Sequence, residues 1–282
     1  MQRVIKLSKY LVVYPFVTIL LVVILAIFIR DTITSPSNNR NWNEDQMVLP
    51  SATISDNLVT IKNIRNFKYA STTSFVAKYY DETYDLNKLK KVWYVVEPFS
   101  GIPGSAHTFL SFEFENDKFV SISVEIRKEK GEAYHPIKGL FNQYELMYVI
   151  ADEKDVIKLR SNYRKDLVYV YPINAENEKM KSLFVDMLER ANHLRDYPEF
   201  YNTITNTCTT NIVAHVNKIT PKRIPFFNLR ILLPANSDKL AYKLGLIDTN
   251  LPFDEARKKY YINDRAIKYE NSNDFSKMIR EE

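Results

Sequence analysis

The chain has 282 residues, of which 26% are charged and 45% hydrophobic, a composition typical of a globular protein. Five glycines are too few for glycine-rich phosphate-binding loops, and neither a G-x-G-x-x-G motif nor a Walker loop occurs. A single cysteine excludes an intrachain disulfide and a multi-cysteine zinc site. The 39 basic and 34 acidic residues are mixed along the chain, so there is no basic arm that would indicate nucleic-acid binding.

An apolar segment without a charge opens the chain. Residues 11–29 read LVVYPFVTILLVVILAIFI, which as a helix would be about 28 Å long and would match the hydrocarbon thickness of a bilayer. A cleaved signal peptide has a shorter apolar centre and a small-x-small site, and neither feature is present. The segment therefore predicts a retained transmembrane helix over 11–30.

The charges that flank this segment predict its orientation. Arg3, Lys6 and Lys9 precede it, whereas only Arg30 follows closely. Basic residues favour the cytoplasmic side of a membrane. We therefore expect residues 1–10 to lie in the cytoplasm and the bulk of the chain to lie outside the cell membrane.

Beyond the apolar segment, three parts are predicted: a polar tether over 31–45, an extracytoplasmic domain over 46–270 and a charged tail over 271–282. The tether is rich in Ser, Asn and Thr, which is typical of an irregular connector. The tail is expected to fray, because charged chain ends seldom bury enough surface to be held in place.

Residues that are β-branched or aromatic predict strands in the first part of the domain. The predicted strands are 53–61, 92–96, 108–114, 119–126, 146–150 and 168–171. The charged segment 115–118 joins two of them in a predicted hairpin. In 119–126 apolar residues alternate with Ser121, Ser123 and Glu125. We therefore expect the polar face of this strand to border a cleft or solvent.

The second part of the domain is predicted to be mainly helical. Apolar residues at helical spacing predict helices over 175–194, 208–218, 237–246 and 253–261. Asn174 is the expected N-cap of the first helix, and Gly245 is expected to end the third. The charged segment 152–155 indicates a helical turn or a loop. Strands followed by helices predict an α+β domain with an antiparallel sheet and packed helices.

The lone cysteine is the first candidate for chemistry. Cys208 lies in N-T-I-T-N-T-C-T-T-N-I-V, at the expected start of a helix. Unpaired N–H groups and the positive end of a helix favour a thiolate and can hold a developing oxyanion. The alternative is a small, buried and inert thiol.

His107 is the candidate base, because a strand histidine facing a helix-borne cysteine is the arrangement of papain-like catalysis. A surface histidine is the alternative. Glu125 shares the face of His107, and could orient it, only if the hairpin has a bulge or a turn longer than two residues. Otherwise it is a solvated residue or a partner of Arg127. His215 lies about 10 Å along the helix from Cys208, too far to act as its base.

Nine blocks carry a family resemblance across residues 39–267. They are NRNWNEDQ from 39, IKNIRNFKY from 61, TYDL from 83, AHTFLSFEF from 106, SVEIRKEKGE from 123, YELMYVIADEKD from 144, LRSNYR from 159, PEFYNTITNTCTT from 198 and SDKLAYKLGLID from 237. With these blocks in this order, the chain resembles the periplasmic domain family of Lnb-type lipoprotein N-acyltransferases.

The resemblance implies a papain-like domain of the circularly permuted NlpC-like kind, in which the histidine strand precedes the cysteine helix, as His107 precedes Cys208. It implies transfer of an acyl chain from a membrane phospholipid to the N-terminal amine of a lipid-modified lipoprotein cysteine, through a Cys208 thioester and without a metal or cofactor. Asn206, Thr209 and Arg127 are the expected oxyanion-binding or supporting residues. Two alternatives stay open: a Cys/His amidase or peptidase acting on cell wall or protein, and an inactive membrane-anchored binding module.

Overall fold

A computed structural model describes residues 34–221 and 223–281, together with positions 14, 15, 17–19, 21, 22 and 25. In this part of the chain no helix is long and apolar enough to cross a membrane. The predicted cytoplasmic segment 1–10 and most of the predicted transmembrane helix over 11–30 lie outside the described residues. Both therefore stay predictions.

A largely antiparallel sheet forms the centre of the fold. The strands of the described residues are β1 Ser51–Ser55, β2 Leu58–Arg65, β3 Lys68–Tyr69, β4 Phe75–Val76, β5 Tyr79–Asp85, β6 Leu89–Pro98, β7 Ala106–Phe114, β8 Lys118–Arg127, β9 Glu145–Ala151 and β10 Tyr169–Pro172. The main sheet has the order β1-β2-β9-β8-β7-β6-β10, with β5 paired to β2, while β3 and β4 form a separate hairpin. Only the short β2–β9 contact is parallel among these pairs.

Helices cover both faces of the sheet. In residues 34–221 and 223–281 the α-helices are α1 Pro136–Leu140, α2 Glu153–Lys158, α3 Asn177–Asp196, α4 Cys208–Ile219, α5 Leu229–Leu232, α6 Ser237–Lys243, α7 Phe253–Tyr260, α8 Asn263–Lys268 and α9 Phe275–Met278. A π-helical segment, Leu159–Arg164, follows α2. Helices α3 and α4 pack on one face, and α2, α8 and α9 pack on the other. The predicted α+β class with a sheet and packed helices is confirmed.

The strand predicted over 53–61 is wrong, because this segment forms the β1–β2 hairpin. Ile54 pairs with Val59 in that hairpin. Asp56 turns the chain with a φ of 51°, in the left-handed region that aspartate tolerates better than most residues. The β-branched residues on both sides of the turn are what made the segment resemble one strand.

The predicted helices recur as α3, α4, α6 and α7, with small shifts at their ends. Helix α3 begins at Asn177, so its N-cap is Glu176 and not Asn174. The N–H of Asn174 instead bonds the carbonyl of Leu246, which ties this residue to the loop after α6. Gly245 has a φ of 71°, a conformation that suits glycine at the end of a helix, as expected.

The predicted hairpin of β7 and β8 is present, and its turn is longer than two residues. Phe114 pairs with Lys118, so three residues form the turn. Two of them, Asn116 and Asp117, have positive φ angles. Because side chains alternate along a strand, this one extra residue decides the face on which every later residue of β8 lies.

The polar face of β8 differs from the prediction over most of its length. Ser121 and Ser123 are 0% exposed, because the layer of α2, α8 and α9 covers them. Only Glu125, near the end of the strand, borders a cavity.

The predicted tether over 31–45 is instead packed on the domain in its second half. Trp42 is buried, and the guanidinium of Arg127 lies 4.3 Å from the centre of its ring. Arg127 also donates hydrogen bonds to Asn38 Oδ1 at 2.8 Å and to the carbonyl of Gln46 at 2.9 Å. Arg127 therefore clamps the N-terminal segment of the domain to the end of β8.

The tail predicted to fray over 271–282 also packs on the domain. Phe275 and Ile279, four residues apart in a helical turn, are both 0% exposed. Arg280 donates to Glu153 Oε2 at 2.8 Å. The two apolar side chains outweigh the charges around them, since burial of a large apolar side chain contributes about 1.5–3 kcal/mol.

Candidate active site

An opening between two adjacent strands forms the candidate site. The ladder between β7 and β8 ends at Phe109 and Ser123, although β7 stays paired with β6 as far as Ala106 and β8 stays paired with β9 as far as Arg127. A cavity of about 260 Å³ borders both separated ends. Its lining includes Ala106, His107, Val124, Glu125, Ile126 and Cys208.

Cys208 is the first residue of α4. Thr207 is the N-cap: its hydroxyl accepts from the N–H of Thr210 at 3.2 Å, and its own N–H donates to the Thr210 hydroxyl at 2.7 Å. This capping box fixes the start of the helix. The N–H groups of Cys208 and Thr209 form no hydrogen bond within the described residues. They remain available to an oxyanion beside the sulfur.

A contact between two threonines brings the cysteine helix to the histidine strand. Thr209 Oγ1 lies 3.0 Å from Thr108 Oγ1, and both residues are buried. Each threonine directly follows one of the two candidate catalytic residues, Cys208 and His107. The contact therefore explains how residues a hundred positions apart come to line one cavity.

The hydrogen bonds of His107 indicate which ring nitrogen is free to accept a proton. His107 Nε2 lies 2.7 Å from the hydroxyl of Ser123, and that hydroxyl donates to Glu125 Oε1 at 2.9 Å. The hydroxyl of Ser123 donates its hydrogen to the carboxylate of Glu125. Its oxygen therefore accepts a hydrogen bond from the N–H at Nε2 of His107. Nδ1 then carries the lone pair, and it forms no hydrogen bond within the part of the chain described. The arrangement leaves Nδ1 to receive a proton.

Arg160 places a positive charge beside Glu125, the last residue of this hydrogen-bonded series. Its Nη2 donates to Glu125 Oε1 at 3.0 Å and its Nε to Glu97 Oε2 at 2.6 Å, and its side chain is 4% exposed. Burial alone would raise the pKa of Glu125, but the charge of Arg160 and the hydrogen bond from Ser123 lower it below its ordinary value. Glu125 therefore stays a carboxylate that accepts from Ser123.

The environment of His107 keeps its imidazole neutral. Its side chain is only 12% exposed, and burial lowers its pKa to about 3. Repulsion by Arg160 and Arg164 lowers the pKa further, and Glu125 offsets only part of this effect. A neutral imidazole has a lone pair that can accept a proton, but the lowered pKa makes His107 a weaker base than a free histidine.

Glu97 lies beside His107 in the sheet, as its register partner on β6. Its side chain is 0% exposed, and burial raises its pKa to about 7 against the lowering effect of Arg160 and Arg164. Arg160 thus lies between two buried carboxyl groups. Its positive charge offsets the repulsion that two carboxylates near the histidine would have.

The predicted supporting residues separate into two groups. Thr209 does not line the cavity, but its Oγ1 lies 3.7 Å from the sulfur of Cys208. Arg127 holds the N-terminal segment and does not line the cavity. The side-chain amide of Asn206 is occupied in its own loop, donating to the carbonyl of Phe200 and accepting from Asn211. Neither Arg127 nor Asn206 contributes to the cavity lining.

His215 does not line the cavity either. Its side chain is buried, with Nδ1 against the carboxylate of Asp186 and Nε2 against the hydroxyl of Tyr148. Its position on α4, about two turns beyond Cys208, agrees with the expectation that it is not the base.

Three residues of the site carry little or no sequence signal of their own. Ser123 lies two positions before Glu125 on the same face of the same strand, and this spacing could have suggested it. Glu97 and Arg160 are 63 positions apart and meet only through the fold. No local pattern pairs them.

Comparison with known proteins yields one match. A family model described as the Lnb N-terminal periplasmic domain matches residues 75–235, more than half of the chain. The matched range includes Glu97, His107, Glu125 and Cys208. The chain matches no curated protein and no solved structure.

Proposed function

The chain belongs to the Lnb N-terminal periplasmic domain family, and from this membership we propose that it is an extracytoplasmic thiol acyltransferase with a papain-like Cys/His pair. The acyl donor is a membrane phospholipid, and the acceptor is the N-terminal amine of a lipid-modified lipoprotein cysteine. One observation carries the proposal: Cys208, at the start of α4, and His107 line the same cavity.

In the first half of the proposed reaction, His107 Nδ1 takes the proton of the Cys208 thiol as the sulfur attacks the carbonyl carbon of an acyl ester. The carbonyl π bond opens to an oxyanion. The N–H groups of Cys208 and Thr209 stabilise this charge. The intermediate then collapses: the ester C–O bond breaks, and the glycerol oxygen leaves with the proton held by His107. A lysophospholipid and a Cys208 thioester result.

In the second half, the lipoprotein amine attacks the thioester carbonyl. His107 removes a proton from the attacking nitrogen, the C–S bond breaks, and the proton returns to sulfur. The products are an N-acylated lipoprotein and the free thiol. Water competes with the amine at this stage, so exclusion of water from the cavity favours transfer over hydrolysis.

Attachment to a membrane would serve this chemistry. The predicted transmembrane helix over 11–30 would hold the domain within a short distance of both lipid substrates. Tethering raises the effective concentration of a partner without any new contact.

The proposal is tested by the intact mass of the full chain after incubation with phospholipid vesicles. We expect the wild type to gain one acyl group, which hydroxylamine removes because it is a thioester. Cys208→Ala is expected to gain none, although it keeps the fold. No added mass on the wild type, or equal added mass on the variant, contradicts the proposal.

Each of the two alternative functions predicts a different observation. An amidase or peptidase cleaves cell-wall peptides or protein and forms no adduct derived from phospholipid. In an inactive binding module, a thiol-alkylating reagent leaves Cys208 unlabelled in the folded protein.

The pH dependence of the histidine provides a further prediction. Since the pKa of His107 is lowered to about 3, we expect no acid limb near pH 6.5 in the rate of thioester formation. The unfolded chain binds more protons than the folded one between about pH 3 and pH 6.5, so the contribution of His107 to stability falls as the pH drops through that window.

Nitrogen chemical shifts of the His107 ring measure this directly. We expect them to stay those of a neutral imidazole from pH 8 to pH 5, whereas in urea the ring titrates near pH 6.5. Titration of the folded protein near pH 6.5 would contradict the assigned protonation state.

A further inference from the structure

A second cavity, which the proposed mechanism does not use, lies next to the candidate active site. It has a volume of about 250 Å³. Most of its walls are aliphatic side chains from β6, β7 and helices α3, α4 and α6, among them Val92, Leu110, Leu183, Ile212, Val216 and Leu240. Such a lining offers few hydrogen bonds to water, so the cavity suits an apolar occupant.

The cavity runs alongside the nucleophile's helix. Its lining includes Thr209 at the start of α4 and Thr220 just after its end. Eleven residues of helix rise about 16 Å. Thr209 directly follows Cys208, which lines the neighbouring cavity, so one end of this cavity lies next to the residue that follows the nucleophile.

One residue is common to the linings of the two cavities. Ile231, on the short helix α5, lines both of them and is 3% exposed. Phe227, just before α5, and Leu229, its first residue, are 77% and 73% exposed. Ile231 is therefore the point at which the two cavities come nearest in the lining, and a chain that passes from one to the other would pass this side chain.

The size and shape of the cavity select the class of occupant. A 150 Å³ apolar cavity holds benzene, so 250 Å³ holds roughly ten carbon atoms by proportion. Lining residues spread along about 16 Å of helix α4 favour a linear chain over a ring.

We propose that this cavity binds the acyl chain of the donor, with the acyl carbonyl at Cys208 and the chain running along α4 past Ile231. This inference rests on the proposed acyl transfer and adds where the chain lies and what limits its length. Longer chains would leave through an exposed part of the rim, which includes Glu176 and Lys179.

The test is a tryptophan in the far half of the cavity. Val216 lies seven residues after Thr209, about 10 Å along the helix, and it lines the cavity. Ala214, two residues earlier, is exposed and does not line it. Val216→Trp should fill the cavity, and Ala214→Trp is the matched control. The probes are hexadecanoate and octanoate, whose binding is measured by calorimetry, and vesicles of phospholipids with the same two chains.

We expect Val216→Trp to weaken hexadecanoate binding at least tenfold and to shift thioester formation toward octanoyl donors, while Ala214→Trp behaves as wild type. Ile219→Trp, about one turn farther from Cys208, should block less of the cavity and so set a longer limit. Thermal unfolding of each protein shows whether it is folded. Together with Ile219→Trp, this measurement distinguishes loss of binding because the cavity is filled from loss of binding because the protein is misfolded.

The outcomes separate this inference from the proposed function. A wild-type thioester whose chain preference is the same in Val216→Trp overturns the cavity assignment and leaves acyl transfer standing. Hexadecanoate binding that depends on Val216, without any thioester on Cys208, supports the cavity and contradicts acyl transfer. A wild type that binds no hexadecanoate overturns the inference.

Discussion

Replacement of His107 by Gln is expected to slow thioester formation on Cys208 by about 10²–10⁴-fold, the usual contribution of a positioned general base. Gln can keep the hydrogen bond to Ser123, but its amide cannot take a proton from the thiol at neutral pH. The loss should therefore lie in the rate and not in the fold. The measurement is the initial rate of acyl mass gain with phospholipid vesicles.

Two further variants show whether the effect belongs to the base. Ser123→Ala removes one hydrogen bond that orients His107, which costs about 1 kcal/mol or about fivefold in rate. His193→Gln changes a histidine whose side chain is 51% exposed and which does not line the cavity, so it should match the wild type. A His107→Gln rate within tenfold of the wild type would remove the histidine from the mechanism.

Replacement of Arg160 by Met is expected to lower the free energy of unfolding by about 3–5 kcal/mol, the usual cost of removing one partner of a buried ion pair. The guanidinium is bonded to Glu97 and Glu125, and both carboxyl groups are largely buried. Without it, two nearby carboxylates lack their common counterion. Urea unfolding at neutral pH measures the loss.

Charge and packing are separated by two controls. Arg160→Met combined with Glu97→Gln removes one of the stranded carboxylates, and we expect it to recover part of the stability. Lys118→Met breaks an exposed ion pair with Glu82, worth at most about 1 kcal/mol. If Arg160→Met, the double variant and Lys118→Met all unfold at the same urea concentration, then Arg160 does not neutralise the buried carboxylates of Glu97 and Glu125.

The pH should change the size of the Arg160→Met effect. Stranded, buried carboxylates have raised pKa values, so they bind protons in the folded state before they do in the unfolded chain. The variant should therefore regain stability relative to wild type as the pH falls from 7 toward 5. A gap between the two proteins that is constant over this range would point to lost packing.

Several features of the fold could be predicted from local sequence. Helix α4 begins at the residue predicted, because Thr207, two further threonines and the apolar residues that follow are a local signal for a capped helix. The hairpin of β7 and β8 was likewise predictable from two alternating strands around a charged turn. Errors arose where a turn interrupted a β-branched run, as at Asp56, and where two apolar residues held a charged tail, as at Phe275.

The sequence by itself determined that an unpaired thiol stands at a helix start and that a histidine precedes it on a strand, because capping and strand alternation depend on neighbours within a few positions. Only the tertiary structure decided what surrounds them. The tertiary structure separates the ends of β7 and β8 and, through the three-residue turn, places Glu125 on the same face as His107. It also brings Arg160 into hydrogen-bond contact with Glu97 and Glu125. Each of these features depends on residues that are far apart in the sequence. Such contacts follow from strand register and from the packing of helices on the sheet, which no local pattern specifies.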